Sequence, residues 1–275
     1  MDDGYEDGAA GPAGAGAVLG AAELFDGVGL DYERAFGRLP AQLAAVEWLT
    51  GRLPAGARVL DVGSGTGRPV AALLAAAGCE VTGIDVSRTM VELAREQVPG
   101  ARFEQADVRD HVPPEEGYDA VCAFFPLLMM DRKDQVLAVR RMASWLVPGG
   151  LLVSATVPAD VEGLEITWMG RRARVSSFSA EAYLGLLREE GGLEVLHHDL
   201  SVFTPEVEGG EPEEHLFCYA RRGRARAGEA RRPGHVGSPA ALRRVRPGRG
   251  GPPGRRSRPG GGRRSRGRAD RPWRA

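Results

Sequence analysis

The chain has 275 residues, enough for one α/β domain of ordinary size with additional segments. Its formal net charge of −1 averages two unlike parts, because residues 223–275 carry +15 and residues 1–222 carry −16. No apolar run approaches the ~20 residues of a membrane-spanning helix, and the acidic N-terminus lacks the basic start of a secretory signal peptide. These properties argue against a membrane protein and against a secreted one.

The cysteines support the same conclusion. They lie in apolar runs without C-x-x-C spacing, so the sequence predicts buried free thiols and no metal site. Free thiols are typical of reducing compartments. We therefore expect a cytoplasmic protein that has no membrane partner. The three residues are Cys79, Cys122 and Cys218.

The N-terminal part begins with a Gly/Ala-rich, acidic segment, residues 1–20, which we predict to be disordered. Apolar residues then recur at helical spacing, which predicts three helices before the first strand. In the third of them the apolar stripe consists of Leu43, Val46, Trp48 and Leu49. The predicted helices span residues 21–28, 31–40 and 41–53.

Strands and helices alternate from residue 58 onward, which predicts a mainly parallel sheet covered on both faces. Residues 158–178 interrupt this alternation. The last two strands follow each other without a helix, so we expect them to pair antiparallel. The predicted strands span residues 58–63, 80–86, 101–108, 118–125, 151–157, 193–203 and 214–222, and the predicted helices span 68–78, 87–98, 131–147 and 179–192.

The C-terminal segment, residues 223–275, contains 17 arginines and no apolar period. Such a composition cannot bury enough surface to offset the entropy of ordering, so we predict a disordered tail and a folded domain over residues 21–222. The tail is either functional or the product of a frameshift or readthrough in GC-rich coding. Lys133, the only lysine of the chain, indicates such coding.

A glycine-rich loop follows the first strand and opens a helix. Its glycines are Gly63, Gly65 and Gly67, and Asp61 precedes them. A dinucleotide fingerprint would need a glycine where Arg68 stands, and a carboxylate next to the loop disfavours a pyrophosphate. The loop therefore favours a ligand with an ammonium or sulfonium group, and its amides together with the helix start predict a polar pocket.

Two further carboxylates follow the next two strands. Asp85 ends the second strand, where a carboxylate can accept both hydrogen bonds of a ribose diol, and Asp107 ends the third. Ligands of open α/β sheets bind at this carboxyl edge. The three acids thus favour a nucleoside with a cationic tail over the alternative that Asp61 and Asp85 cap helices and Asp107 lies in a surface turn.

Five stretches in this order resemble the motif series of the class I S-adenosylmethionine-dependent methyltransferases that act on small molecules, of the actinobacterial type. They are VLDVGSGTG, GIDVS, ADV, YDAVCAFF and LVPGGLLV. The resemblance runs from about residue 24 to residue 222. It implies S-adenosylmethionine as the cofactor and an α/β fold with a Rossmann-like, seven-stranded, mainly parallel sheet, an antiparallel last strand and helices on both faces.

The resemblance also implies roles for individual residues. Asp61 and the loop backbone would hold the methionine part of the cofactor, Asp85 the ribose hydroxyls and Asp107 the adenine amino group. The further implied contacts are the loop residues Gly63, Ser64, Gly65, Thr66 and Gly67, then Val86 and Val108 beside the adenine ring, and Phe124 through its backbone.

No catalytic residue is predicted. His111 follows the Asp107 strand end and is the best candidate for a general base, but a solvated loop histidine is the favoured interpretation. His197 and His198 are neighbours on one strand and so face opposite sides. His215 starts the last strand, and we interpret it as structural.

The acceptor would be selected by segments over the carboxyl edge of the sheet. The N-terminal helices contribute Tyr32 and Phe36. The apolar side chains of the stretches FFPLLMM and ITWMGRRARVSSF either line the acceptor pocket or belong to the hydrophobic core. Three arginines in the second stretch would meet an acidic substrate or remain solvated. The pocket candidates are Met129, Met130, Trp168, Met169 and Phe178, and the arginines are Arg171, Arg172 and Arg174.

Three functions remain open at this stage. The first is in-line methyl transfer to a small molecule, the second is methylation of RNA with help from the basic tail, and the third is regulation by a non-catalytic cofactor-binding domain. The tail offers only Trp273 for base stacking, and FFPLL lacks the Asn/Asp-Pro-Pro-Tyr/Phe pattern of base-amine methyltransferases. The sequence therefore favours the first and disfavours nucleic acid as a partner. It leaves open the acceptor atom (oxygen, nitrogen or carbon) and the oligomeric state.

Overall fold

The structure is a computed structural model that describes residues 17–205 and 211–224. The two segments predicted to be disordered are residues 1–20 and 223–275, and all of them except residues 17–20 and 223–224 lie outside the described range. Three helices precede the first strand, in agreement with the sequence. They are α1 (Ala21–Val28), α2 (Leu30–Phe36) and α3 (Pro40–Thr50).

The predicted alternation of strands and helices follows. In chain order the elements are β1 (Arg58–Val62), α4 (Val70–Ala76), β2 (Glu80–Asp85), α5 (Arg88–Gln97), β3 (Arg102–Gln105), β4 (Tyr118–Phe124), α6 (Arg132–Trp145), β5 (Leu146–Thr156), β6 (Leu164–Trp168), β7 (Arg171–Val175), α7 (Ala180–Glu189), β8 (Leu193–Phe203) and β9 (Glu213–Arg222). Within the described residues, none of the helices has the length and apolarity needed to cross a bilayer.

Seven strands form one sheet in the order β3-β2-β1-β4-β5-β9-β8. β9 runs antiparallel to both of its neighbours, and the other pairings are parallel. This arrangement confirms the predicted fold class. Because β9 is reversed, its first residues lie at the same edge as the carboxyl ends of β1, β2, β4 and β5.

The sheet separates two apolar cores, since side chains alternate between its faces. In β1, Leu60 and Val62 pack with α6 and α7, whereas Val59 packs with α3, α4 and α5. Asp61 therefore points to the α3–α5 face. Each fully buried leucine contributes roughly 1.5–3 kcal/mol to stability, so the two cores fix the strand ends that carry the site.

The interruption over residues 158–178 contains a hairpin that the sequence did not predict. β6 and β7 pair antiparallel, and Glu165 on β6 forms ion pairs with Arg172 and Arg174 on β7. The hairpin is joined to the N-terminal part, because Leu19 forms an isolated bridge with Ala173. Two predicted strand boundaries and the predicted apolar stripe of α3 also change.

The third strand ends at Gln105, so Asp107 lies in the turn after β3 and does not end it. β5 begins at Leu146 and runs through the predicted Pro-Gly-Gly turn, with a register shift against β4. Leu43 is 39% exposed, because the buried stripe of α3 consists of Ala45, Val46 and Leu49.

Candidate functional site

Asp61 is a buried carboxylate without a complete set of partners. It is 2% exposed, and its Oδ2 has no hydrogen-bond partner. Burial, together with the nearby charge of Asp85, raises the pKa of Asp61 to about 8. α4 begins after Pro69 without a side-chain cap, so Asp61 does not cap that helix. A cation placed beside Oδ2 would return this carboxyl group to its charged form.

Asp85 lies next to Asp61 and ends β2 as predicted. Its carboxylate accepts hydrogen bonds from the backbone N–H groups of Gly65 and Ser87, both at 2.9 Å. Burial outweighs these bonds and raises the pKa of Asp85. The N-cap of α5 is Ser87, whose hydroxyl accepts from the Met90 N–H. The Asp85 carboxylate is therefore hydrogen-bonded to the glycine-rich loop and lies beside the start of α5, but it does not cap that helix.

The three loop glycines differ in how closely neighbouring residues approach them. All three have positive φ angles, which favour glycine. A methyl group on Gly63 or Gly67 would also lie within about 3 Å of a neighbour, Pro126 for Gly63 and Val98 for Gly67. A methyl group on Gly65 would meet only Tyr32 Cε1, at 4.0 Å. Gly63 and Gly67 are thus required by packing, and Gly65 leaves space above the loop.

The loop amides are less available than the sequence suggested. The N–H groups of Gly63 and Ser64 both donate to the Ile84 carbonyl, and that of Gly67 donates to the Ser64 carbonyl. With the Gly65 N–H on Asp85, four loop amides are bound within the protein. The loop therefore offers shape and side-chain oxygens, among them the buried Ser64 Oγ, which has no partner.

Asp107 stands apart from the other two acids. It is half-buried and forms a bidentate pair with Arg109, which also reaches Asp134. The Arg109 hydrogen bonds offset burial and lower the pKa of Asp107. Val108 packs in the α6–α7 core, while Val86 is partly buried after β2. In the structure Asp61 and Asp85 therefore lie close together, whereas Asp107 is paired with Arg109.

The N-terminal helices are fastened to the site by two acids that the sequence analysis missed. Asp26 of α1 accepts hydrogen bonds from the Ser87 hydroxyl at 2.6 Å and from the Thr89 N–H at 3.0 Å. Glu33 of α2 accepts from the Thr66 hydroxyl at 2.6 Å and from Gln97 at 3.1 Å. Helix starts and loop hydroxyls attract such acids, but their pairing across the chain leaves no local signal.

Aromatic rings cover the carboxyl edge. Tyr32 and Phe36 of α2 stack at 5.2 Å between ring centroids, and Trp168 of β6 lies 5.6 Å from Phe36. Phe203 at the end of β8 lies 6.1 Å from Phe36. Together with Phe25, these four residues form what we call the aromatic cover.

The polar end of the cover is the Tyr32 phenol. Burial and the charges of Asp85 and Glu213 raise the pKa of Tyr32 to about 12, so the phenol is neutral at physiological pH. Of the predicted pocket residues, Trp168 is part of this cover, and Met129 and Met169 belong to the same apolar cluster as Trp168. The other two, Met130 and Phe178, pack against the α6–α7 core instead.

One histidine, His111, differs from the environment predicted for it. His111 is 6% exposed and not solvated, because its Nε2 lies 3.0 Å from the Tyr118 hydroxyl and its ring packs on Trp145. Tyr118 begins β4, so this pair lies at the amino edge, away from the site. His197 and His198 are exposed on β8.

His215 lies at the carboxyl edge and is 2% exposed. Its Nε2 is 3.2 Å from Glu213 Oε2, and its Nδ1 is buried without a partner. Among the residues described, three buried side-chain nitrogen or oxygen atoms have no partner: Asp61 Oδ2, Ser64 Oγ and His215 Nδ1. All three belong to this edge of the sheet.

Comparison with known proteins agrees with this geometry. Residues 59–150 match the family model described as a methyltransferase domain. The chain is 38% identical over 109 residues to methyltransferase GfsG of Streptomyces halstedii, covering 38% of each chain. It is 32% identical over 171 residues to 27-O-demethylrifamycin SV methyltransferase of Amycolatopsis mediterranei, covering 57% of this chain and 62% of the relative. The chain thus spans less than two thirds of these relatives.

Solved structures share the fold at low identity. The [4+2]-cyclase SpnF has a TM-score of 0.57 at 20% identity, covering 76% of this chain and 98% of that one. The complex of DhpI with SAH has a TM-score of 0.55 at 23% identity, covering 74% of this chain and 95% of that one.

Proposed function

We propose, from the premise that this chain carries a class I S-adenosylmethionine-dependent methyltransferase domain, that it transfers a methyl group to a hydroxyl group of a small, largely apolar molecule. The cofactor supplies an electrophilic methyl group on a sulfonium centre. The protein binds this group, orients the acceptor in line with it and excludes water, which can account for ~7 to 11 kcal/mol of a barrier in favourable cases.

The unpartnered Asp61 carboxylate is the observation that carries this proposal. S-adenosylmethionine brings two cationic groups, an ammonium and a sulfonium, and a buried carboxylate with a free oxygen fits a cation and repels a phosphate. We propose that Asp61 and the loop Gly63–Gly67 hold the methionine part. Asp85 would exchange its bond to the Gly65 N–H for the ribose hydroxyls.

The remaining predicted contacts stay part of the proposal. Asp107 would take the adenine amino group while it keeps its pair with Arg109. Val86 would lie beside the adenine ring, Phe124 would contribute its backbone, and Val108 would act through its backbone since its side chain is in the core.

The aromatic cover supports an apolar acceptor. Its rings present wide apolar faces and, at Tyr32, one neutral hydroxyl. Arg172 and Arg174 pair with Glu165, and Arg171 donates to the Gly27 carbonyl, so these arginines do not favour an acidic substrate. The relative from Amycolatopsis, a 27-O-demethylrifamycin SV methyltransferase, supports an oxygen acceptor.

Binding of the cofactor is tested by calorimetric titration of S-adenosylmethionine into the full chain. We expect saturable binding by the unaltered protein and strongly weakened binding by Asp85→Asn. The control is Glu194→Gln, which removes an exposed carboxylate paired with Arg221 and should bind normally. A folded, unaltered chain that takes up no cofactor would overturn the proposal.

Transfer is tested with methyl-labelled S-adenosylmethionine and four acceptor classes: phenols, aliphatic alcohols including 27-O-demethylrifamycin SV, primary amines, and RNA. Label in hydroxyl compounds supports the proposal. Label confined to RNA would overturn the proposal in favour of the nucleic-acid alternative. Cofactor binding without methyl transfer to any acceptor class would favour a regulatory domain.

We also propose a cytoplasmic location. Cys79, Cys122 and Cys218 are free thiols in the structure, as is usual in reducing compartments.

A further inference from the structure

The start of β9 brings a histidine and a glutamate to the carboxyl edge of the sheet. β9 is reversed relative to β5, and Leu216 pairs with Thr156, the last residue of β5. The residues that precede Leu216 in β9 therefore lie level with the segments that leave β4 and β5. Side-chain alternation places His215 on the same face as Phe217 and Asp61.

The contact between His215 and Glu213 indicates which ring nitrogen of His215 carries the hydrogen. A glutamate carboxylate accepts but does not donate, so the Nε2 that lies 3.2 Å from Glu213 carries the hydrogen. In a neutral imidazole the other nitrogen, Nδ1, is then a bare lone pair. This atom is buried and has no partner, which is a costly arrangement unless another molecule satisfies it.

The surroundings connect His215 to the loop. Its ring lies 4.6 Å from the ring of Phe125, which follows β4 at a positive φ of 63°. Non-glycine residues adopt this backbone conformation at a cost of order 1–3 kcal/mol and do so preferentially at functional sites. The next residue, Pro126, packs directly on Gly63.

A second connection runs through the aromatic cover. Glu213 lies near enough to Tyr32 to raise the pKa of its phenol, and Tyr32 stands over Gly65. The groups facing His215 are therefore Glu213 on its own strand, with Tyr32 of α2 beyond it, and the uncharged rings of Phe125 and Phe203. Asp85 and Glu213, the partner of His215, thus both act on the Tyr32 phenol.

We propose that His215, positioned by Glu213, is the general base that deprotonates the acceptor hydroxyl, an assignment that rests on the proposed methyl transfer. Nδ1 takes the hydroxyl proton while the oxygen forms its bond to the methyl carbon. The methyl–sulfur bond breaks, and its electron pair remains on sulfur. The imidazolium is stabilised by Glu213 and later releases the proton to water.

The test compares three variants of the full chain with the unaltered protein: His215→Gln, Glu213→Gln and the control His198→Gln, an exposed histidine on β8. For each we measure cofactor affinity by calorimetry and the pH dependence of kcat with the hydroxyl acceptor that the labelling screen identifies. We expect near-normal cofactor affinity in all variants. For His215→Gln we expect a fall in kcat of ~10² to 10⁴-fold, the usual contribution of a general base, and loss of the rise of kcat with pH.

Glu213→Gln retains the imidazole and so separates a chemical role from a structural one. It should reduce kcat by at least ~10-fold, because a neutral amide can hold the wrong tautomer and does not stabilise the imidazolium. If His215 were only structural, His215→Gln would lower the melting temperature and leave the pH profile of kcat unchanged. An unchanged pH profile in His215→Gln, with kcat within a few-fold of the unaltered chain, would falsify the assignment and leave the proposed methyl transfer intact.

A third readout needs no acceptor. Nitrogen-15 spectra of the histidines report the tautomer. In the unaltered protein we expect His215 to carry hydrogen on Nε2 and none on Nδ1, and in Glu213→Gln we expect a mixture of the two tautomers. Hydrogen on Nδ1 in the unaltered protein would overturn the assignment. An unaltered chain that binds the cofactor but methylates no hydroxyl compound would overturn the proposed function itself.

Discussion

The two edges of the sheet treat buried polar groups in opposite ways. At the amino edge, His111 contacts the Tyr118 hydroxyl, and Asp119 accepts the Arg58 N–H at 2.8 Å. At the carboxyl edge, Asp61, Ser64 and His215 each keep one buried atom without a partner. An unmet buried polar atom costs about 1–3 kcal/mol. The same strands thus gain stability at one end and forgo it at the other, where a ligand can supply what is missing.

Asp61→Asn should break this contrast most strongly. We expect the affinity for S-adenosylmethionine to fall by ~100-fold or more, because the amide removes the charge that attracts the cation. The ligand-free protein should meanwhile become more stable at pH 8, since a buried carboxylate with a raised pKa no longer has to ionise. Calorimetry and thermal unfolding measure the two effects, and an Asp61→Asn protein that binds normally would remove Asp61 from the site.

Tyr118→Phe should have the reverse effect at the amino edge. Removal of the hydroxyl leaves His111 Nε2 buried without its partner, so we expect a loss of ~1–3 kcal/mol in the free energy of unfolding. Cofactor affinity should stay within about twofold, because the pair lies at the far end of β4. Denaturant unfolding measures the loss, and a matching loss of affinity would show that the two edges are not independent.

The pH dependence sharpens the comparison further. The folded-state pKa of Asp61 is raised from 3.8 to about 8, so between these values the folded protein holds a proton that the unfolded chain has released. The stability of the ligand-free protein should therefore fall as the pH rises from about 4 to about 8. Asp61→Asn should flatten that slope in a series of melting temperatures.

Cofactor binding should show the opposite trend over the same range. A cationic ligand favours the ionised carboxylate, so binding releases a proton, and affinity should rise by up to ~10-fold per pH unit below pH 8. Calorimetry in two buffers of different ionisation enthalpy measures the released proton directly. Equal heats in both buffers at pH 7 would contradict the raised pKa of Asp61.

The smallest effect is expected from Ser64→Ala. Because Ser64 Oγ is buried and has no partner, its removal should not lower the free energy of unfolding and should raise it, by an amount near the lower end of ~1–3 kcal/mol. Any loss should fall on cofactor affinity. A loss of stability as large as that of Tyr118→Phe would mean that Ser64 is held by the protein and not reserved for a ligand.

Much of the fold could be predicted from local patterns. β1, β2, β4 and the loop between β1 and α4 follow from buried runs, turn glycines and alternation, which depend on near neighbours. The β6–β7 hairpin was missed because its alternating arginines look like a solvated stretch, whereas they pair with Glu165 across the hairpin.

The site was harder to predict than the fold. The motifs located Asp61 and Asp85, but the contacts of Asp26 and Glu33 join segments far apart in the chain. The surroundings of the two buried histidines could not be read from local patterns either. His111 lies in a polar stretch but packs on Trp145, and His215 reaches the carboxyl edge of the sheet because β9 is reversed.

The position of β9 also bears on how the protein is made. The last strand of the domain lies in the interior of the sheet, between β5 and β8. A ribosome must therefore release residue 222 before the sheet can close, and until then β5 and β8 present unpaired edges to which other chains can add. A nascent chain stopped short of β9 would lack an interior strand and His215 together. Closure of the sheet and the arrival of His215 would thus be a single late event, during which a chaperone would have the most to protect.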